Sequence, residues 1–252
     1  MSEHILVDVK DKVMTITFNR PDKKNALTHA MYQAINSAIE RANTDKTVRA
    51  VLFLGAGGVF TAGNDLMDFR DKPPLGPDAP VSRFLQNMLK AEKPIVAAVG
   101  GVAVGVGLTM LLHCDLVIGS KSARLSAPFV DLALVPEAGS SLLLPRTIGH
   151  ALASDMFFTG RVLSAEEALA VGILSRLYED ADLEGEARKL ALSLARKAPD
   201  AIRLTRRLMR GDRADVAKRM AEEGELFARQ LVSKEMKEAI QAFLEKRAPD
   251  FG

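Results

Sequence analysis

The 252-residue sequence is short of the residues that mark most function classes. A single cysteine, Cys114, excludes a disulfide framework and any zinc cluster built from several thiolates. There is no tryptophan and there are only two tyrosines, so no aromatic belts are available to frame a membrane span. An excess of one charge is also missing. Lys and Arg number 34 and Asp and Glu 32, leaving a net +2, which gives no field for bulk nucleic-acid binding. Met1-Ser2-Glu3-His4 sets no basic segment before an apolar core and does not read as a signal peptide. His4, His29, His113 and His150 lack metal-ligand spacing. Neither a Gly-x-Ser-x-Gly elbow nor a phosphate loop ending in Gly-Lys-Ser/Thr occurs. No peroxisomal Ser-Lys-Leu ending is present, and the expectation is a cytoplasmic protein.

One absence is local. The 21 residues from Pro94 to Cys114 contain no Asp, Glu, Lys or Arg, long enough on length alone for a membrane span. Gly100, Gly101, Gly105 and Gly107 argue otherwise, since each costs a helix interior roughly 1 kcal/mol relative to Ala. The expectation is a buried strand over 95–99, a glycine loop, and a buried helix beginning near Gly107.

What is there reads as an α/β protein. Ile5 to Val9 and Val13 to Phe18 form a hairpin, and Thr28 caps a helix running to about Asn43. Short apolar runs at 50–54, 95–99 and 116–119 suit strands buried on both faces. Four prolines and a glycine within residues 71–80 make a surface loop, and a helix over 81–91 follows. From about Ala181 the pattern is helical, with helices over 182–197, 201–210, 214–231 and 233–245 and breaks at Pro199, Gly211 and Ser233. This segment holds 16 of the 34 basic residues, which suit solvated helix faces or a surface for an anionic ligand.

Two glycine-bearing loops each follow a buried strand: Phe60 to Leu66, and Gly101 to Gly107. Such loops serve as tight turns. They also leave peptide N–H groups free at helix starts, where an anion or a developing oxyanion can be held. Glu137, in Pro136-Glu137-Ala-Gly-Ser140-Ser141, stands among apolar and small residues. It fits either an acid in the first turn of a helix or a partly buried carboxylate acting as a general base.

In combination these motifs resemble the crotonase, or enoyl-CoA hydratase/isomerase, superfamily. The resemblance rests on Asn19-Arg20-Pro21 with Asn25-Ala26-Leu27, Ala62-Gly63-Asn64-Asp65-Leu66, Gly101 to Gly107 with Cys114-Asp115 beyond, and the ending Phe243-Leu-Glu-Lys246-Arg247. It implies a crotonase (ClpP-like) spiral of ββα units over 1–197, with a helical trimerisation region over 198–252. Homotrimers, or hexamers formed by two trimers, are implied as well. The implied substrate is an acyl-CoA thioester, with no cofactor beyond the coenzyme A of the substrate, no metal, no nucleic acid and no membrane.

The resemblance also distributes roles. The backbone N–H groups of Asn64 and Val106 would hold the thioester oxygen. The substrate would lie against Lys23, Lys24, Ala26, Ala62, Gly63, Asp65, Leu66, Gly105, Thr109, Phe129, Phe243 and Lys246. Lys23, Lys24 and Lys246 are the residues for the CoA phosphates, although each also suits a solvated face. Thr109 and Phe129 stand where family hydratases place their two glutamates. Glu137 stands where peroxisomal-type Δ3,Δ2-enoyl-CoA isomerases carry a single catalytic glutamate. The implied reaction is isomerisation of a 3-enoyl-CoA. The alternatives are hydration or another crotonase reaction using Glu137 or Asp131, and an acyl-CoA- or RNA-binding homologue without turnover.

Overall fold

The computed structural model describes residues 2–245 and 247–252, without the side chain of Phe243. The hairpin forms from β1 (Ile5–Lys10) and β2 (Val13–Phe18), which turn through Asp11 and Lys12, both at positive φ. Thr28 caps α1 (His29–Thr44) by accepting the Met31 N–H. Then come β3 (Ala50–Gly55), α2 (Leu66–Asp71), α3 (Pro80–Lys90), β4 (Ile95–Val99), β5 (Val102–Val104), α4 (Val106–Thr109), β6 (Leu116–Ser120) and β7 (Arg124–Ser126). The chain continues through α5 (Ser140–Ile148), α6 (His150–Thr159), β8 (Leu163–Ser164), α7 (Ala165–Ala170) and β9 (Arg176–Tyr178). It ends in α8 (Leu183–Ala195), α9 (Pro199–Arg210), α10 (Ala214–Leu231) and α11 (Lys234–Glu245).

One sheet runs β1-β2-β3-β4-β6-β9, parallel from β2 onward, and a second runs β5-β7-β8. The chain steps from β4 to β5 and from β6 to β7 across short corners. β4 pairs with β6 in one sheet, and β5 pairs in parallel with β7 in the other. Successive units therefore stack in register on two sheets, as a spiral of ββα units requires.

The short apolar runs are strands because both faces are covered. Ala50, Leu52, Leu54, Val96, Ala98 and Ile118 pack against α8 through Leu183, Ala187, Leu190 and Ala191. The alternate residues Val51, Phe53, Ile95, Ala97, Val99 and Val117 enter the main core with Met31, Ile35 and Ile39 of α1.

Three local expectations change. The uncharged run holds two strands rather than one, because 102–104 pairs with β7, and its helix is the single turn α4, starting at Val106. Among the described residues no helix is long and apolar enough to cross a membrane. Pro199 opens α9 instead of breaking the chain before it; at a first helical position its missing N–H removes no hydrogen bond. Glu137 is not in a helical first turn, since α5 begins three residues later, after Ala138 and Gly139, both at positive φ. The sequence pattern does not foretell β7 to β9, α2 or α5 to α7.

Candidate active site

The first glycine loop is held by the turn at Asn25. Asn25 is fully buried at φ 56, a left-handed conformation that Asn tolerates. Its side-chain oxygen accepts the Arg20 N–H at 2.8 Å, and its amide donates to the carbonyls of Ala56 at 2.9 Å and Val59 at 2.6 Å. Thr61 donates its hydroxyl to the Asn25 carbonyl at 2.7 Å and accepts the Gly63 N–H at 3.0 Å. Replacing Asn25 with Ala leaves two half-buried carbonyls and one N–H without partners. We expect a loss of about 2–4 kcal/mol, read as a lower melting temperature. An unchanged melt would mean that this turn does not hold the loop.

The two loops meet edge to edge. Thr61 N–H donates to the Val102 carbonyl, and Val104 N–H to the Thr61 carbonyl, at 3.0 and 3.1 Å. Gly63 turns at φ +90, with its Cα so close to β5 that a Cβ there would lie 2.7 Å from the Val104 carbonyl oxygen. Gly105, at φ 56 and ψ −117, reverses the chain ahead of Val106, the first residue of α4. The N–H groups of Asn64 and Val106 donate to no acceptor among the described residues. Two free N–H groups at the ends of facing loops suit an oxyanion.

Glu137 is linked to the first loop through Tyr32, which feels the Glu137 charge and bonds Asn64. Glu137 is 6% exposed and its Oε1 has no hydrogen-bond partner. Burial, and secondarily the Glu223 carboxylate, pushes its pKa up to about 8. A cavity of about 510 Å³ opens onto it. Pro74 and Pro77 of the proline-rich loop, Val81 and Leu85 of α3, and Met220 and Phe227 of α10 line that cavity. A larger space of about 1020 Å³ runs between α9 and the core and does not touch Glu137; neither it nor the Glu137 cavity is lined by a residue of the glycine loops.

Tyr32 joins the two halves of the site. It is fully buried on α1, and its hydroxyl donates to the Asn64 side-chain oxygen. Burial first, then the nearby Glu137 charge, pushes the phenol well above its usual range, so it remains a donor. The sequence reading missed this residue. Its only signal was a polar tip on the apolar face of α1.

The other expected residues divide. Lys23 and Lys24 are exposed, form no ion pair among the described residues, and lie beside the first loop through the bond from Ala62 N–H to the Lys24 carbonyl at 2.9 Å. Ala26 is tied to the same turn. The Asp65 carboxylate is already occupied: it caps α2 and pairs with Arg20 at 2.6 Å. Leu66 begins α2. Thr109 is buried and uncharged, with its hydroxyl unpartnered. Phe129 stacks at a tilt near Phe157 and, like Thr109, does not line the Glu137 cavity. Asp131 is exposed and also absent from that cavity, which removes it as an alternative base there. Lys246 and the Phe243 side chain lie outside the described residues.

The basic helical end is not a free cationic surface throughout. On α9, Arg206 and Arg210 both pair with Asp115 at 2.8 Å, while Asp115 also accepts the Ile95 N–H. The Cys114-Asp115 motif thus fastens α9 to β4. His113, the residue before it, is fully buried, and burial and Arg213 push its pKa down to about 3. Its Nε2 bonds the Ala138 carbonyl at 2.7 Å, directly behind Glu137.

Comparison with known proteins agrees with this geometry. The family profile described as Enoyl-CoA hydratase/isomerase matches residues 8–252. The chain belongs to the enoyl-CoA hydratase/isomerase family of the crotonase superfamily. The crystal structure of an enoyl-CoA hydratase/isomerase from Pseudoalteromonas atlantica T6c matches this crotonase with a TM-score of 0.95 and 47% identity, over 99% of this chain and 100% of that one. The 1,2-epoxyphenylacetyl-CoA isomerase of Escherichia coli K12 is 34% identical over 100% of this chain and 99% of that protein. Enoyl-CoA delta isomerase 2 of Rattus norvegicus is 36% identical over 98% of this chain and 64% of that protein. The crotonase is accordingly an enzyme of the hydratase/isomerase class, and its relatives' names include both activities.

Proposed function

We propose that this crotonase moves the double bond of a 3-enoyl-CoA to give the 2-trans-enoyl-CoA. The observation that carries the reading is Glu137, buried with an unpartnered oxygen on an apolar cavity, while Thr109 and Phe129 supply no second carboxylate. The likeness to enoyl-CoA delta isomerase 2 supports it.

One carboxylate suffices for the chemistry. Glu137 takes the proton from C2, and the C2–H electrons move into a dienolate whose charge rests on the thioester oxygen. The Asn64 and Val106 N–H groups donate to that oxygen. Glu137, now neutral, returns the proton to C4, the double bond settles between C2 and C3, and the base is regenerated. No water is consumed. Apolar surroundings favour the neutral acid and strengthen the base, and a pKa near the working pH suits both halves of the transfer.

The acyl chain would occupy the cavity between α3, the proline-rich loop and α10, and Lys23 and Lys24 would meet the CoA phosphates. A homotrimer or hexamer belongs to the same proposal. It is supported by Leu208 and Met209 of α9, 85% and 83% exposed.

The test supplies paired 2-enoyl and 3-enoyl thioesters of several chain lengths. Conversion of the 3-enoyl compound to the 2-enoyl compound is the expected result. Formation of the 3-hydroxy product from the 2-enoyl compound would replace the reading by hydration, and tight binding without turnover would replace it by a binding role. Because Glu137 must be ionised to accept the proton, kcat/KM should rise about tenfold per pH unit below about 8 and level above it. A profile flat from pH 6 to 9 would count against Glu137 as the base.

A further inference from the structure

A second buried carboxylate lines the Glu137 cavity. Glu223, on α10, is 4% exposed. Its Oε2 accepts the Gly139 N–H at 2.6 Å, and its Oε1 accepts the Ser141 N–H at 2.9 Å and the Ser141 hydroxyl at 2.5 Å. These donors belong to the segment that follows Glu137. Ala138 and Gly139, at φ 65 and 71, lie ahead of α5, and the helix holds only the Gly139 carbonyl, through the Leu142 and Leu143 N–H groups. Of the first N–H groups of α5, Ser140 donates to the Glu137 carbonyl and Leu142 and Leu143 to the Gly139 carbonyl, while Glu223 caps the remaining one, Ser141, from another helix. The segment lies tight on α10: a Cβ on Gly139 would come within 2.9 Å of Val216 Cγ1 and 3.3 Å of Met220 Cγ. From the other side, His113 holds the Ala138 carbonyl at 2.7 Å. Both oxygens of Glu223 are thus engaged by the backbone beside Glu137, whose own Oε1 is left free.

We propose that Glu223 is a positioning residue for the proton transfer, acting through Glu137: it locks residues 139–141 so that the Glu137 carboxylate is held at the cavity, and it sets a second carboxylate on the same cavity wall. This rests on the reading of Glu137 as the base.

The charges around the pair can be named. On α10, Arg219 donates to Ser141 Oγ at 3.2 Å, and Glu225 lines the same cavity. Lys90 of α3 lines it too, and Tyr32 of α1 faces Glu137. His113 stays neutral. Burial pushes the Glu223 carboxyl up, while the bonds from Ser141 and Gly139 and the Arg219 charge oppose that rise. Burial is also the first cause at Glu137, with Glu223 the second.

The decisive experiment titrates the Glu137 carboxyl by carbon-13 NMR in the full chain without substrate, the signal being assigned through Glu137→Gln. In Glu223→Gln its midpoint should fall by about one pH unit. In Ser141→Ala, which removes one donor and no charge, it should stay in place. The kcat/KM profile of Glu223→Gln should move to lower pH by the same interval, with the plateau kcat down about tenfold or more and KM little changed. An unmoved Glu137 midpoint in folded Glu223→Gln overturns the proposal. If that variant does not fold, Glu223→Asp decides. It keeps the charge and shortens the reach, so kcat should drop about tenfold with the pH limb in place; wild-type kcat would overturn the positioning role. The titration uses no substrate, so it stands or fails independently of whether 3-enoyl thioesters turn over.

Discussion

Glutamine at position 137 should reduce turnover of a 3-enoyl-CoA by about 10² to 10⁴-fold, the usual contribution of a placed general base. The amide keeps the size of the side chain but cannot take a proton. The other acids on the wall of the cavity are poor replacements: Glu223 is engaged by Gly139 and Ser141, and Glu225 is exposed to solvent. Substrate affinity should change little, because the remaining walls of the cavity and both glycine loops are untouched. Stability should move in the opposite direction. The native carboxyl titrates at about 8 and the unfolded one near 4.5, so between those values the native state holds a proton that the unfolded chain has released. The associated stability is complete below about pH 4.5 and is lost as pH rises through about 8. Glu137→Gln avoids that loss. It should melt above the wild type at about pH 8.5, by up to a few kcal/mol, and together with it at about pH 4. Activity near the wild type with 3-enoyl-CoA would end the assignment of Glu137 as the base.

Gly63→Ala should be nearly as damaging to the reaction through a different route. The new Cβ would lie 2.7 Å from the Val104 carbonyl oxygen and 3.4 Å from its carbon, at a φ of +90 that an L side chain rarely adopts. The obstacle is backbone in a paired strand and cannot rotate aside. The first loop must then lift away from β5, and the Asn64 N–H leaves its place opposite Val106. Losing one oxyanion donor costs about 2.7–4 kcal/mol of transition-state stabilisation, or about 10² to 10³ in kcat. The loss should therefore fall on kcat more than on KM, with a lower melting temperature from the strained turn. An alanine variant with native kcat would show that the loop finds another path and that the Asn64 N–H is not the donor.

The sequence was legible where local pattern and tertiary environment agree. β3, β4 and β6 are unbroken apolar runs because α8 covers one face and the main core the other. α1 was visible from its Thr28 cap and its apolar spacing. β5 and β7 were not, since three residues cannot establish a period and Val102-Ala-Val104 owes its strand geometry to Thr61 and β7 alone. α5 was hidden by Pro145 within it and by the left-handed pair Ala138-Gly139 before it. Glu137 stood out as a lone acid among small and apolar neighbours. Glu223 did not, surrounded by Glu222 and Glu225 on a helix rich in charge. Its signal was phase rather than type. Val216, Met220, Glu223 and Phe227 follow the 3- and 4-residue steps of one helix face, placing an acid on the apolar stripe. The partners that make that position meaningful, Gly139 and Ser141, lie more than 80 residues away.

The proline-rich stretch over 71–80 has a bearing on how this enzyme can diversify. It forms part of the cavity wall through Pro74, Gly76 and Pro77, yet few backbone bonds hold it, such as Leu75 N–H to the Pro73 carbonyl and Ala79 N–H to the Gly76 carbonyl. Residues 72–79 belong to none of the strands and helices given above, although Ala79 caps α3, and proline holds φ in place there without help from neighbours. Insertions, deletions or exchanges in this stretch can therefore reshape the cavity that Glu137 borders while Glu137, the two glycine loops and the stacked sheets stay where they are. Substrate range and folding are in this sense separately heritable, and a lineage can explore new thioesters without first risking the fold that activates them.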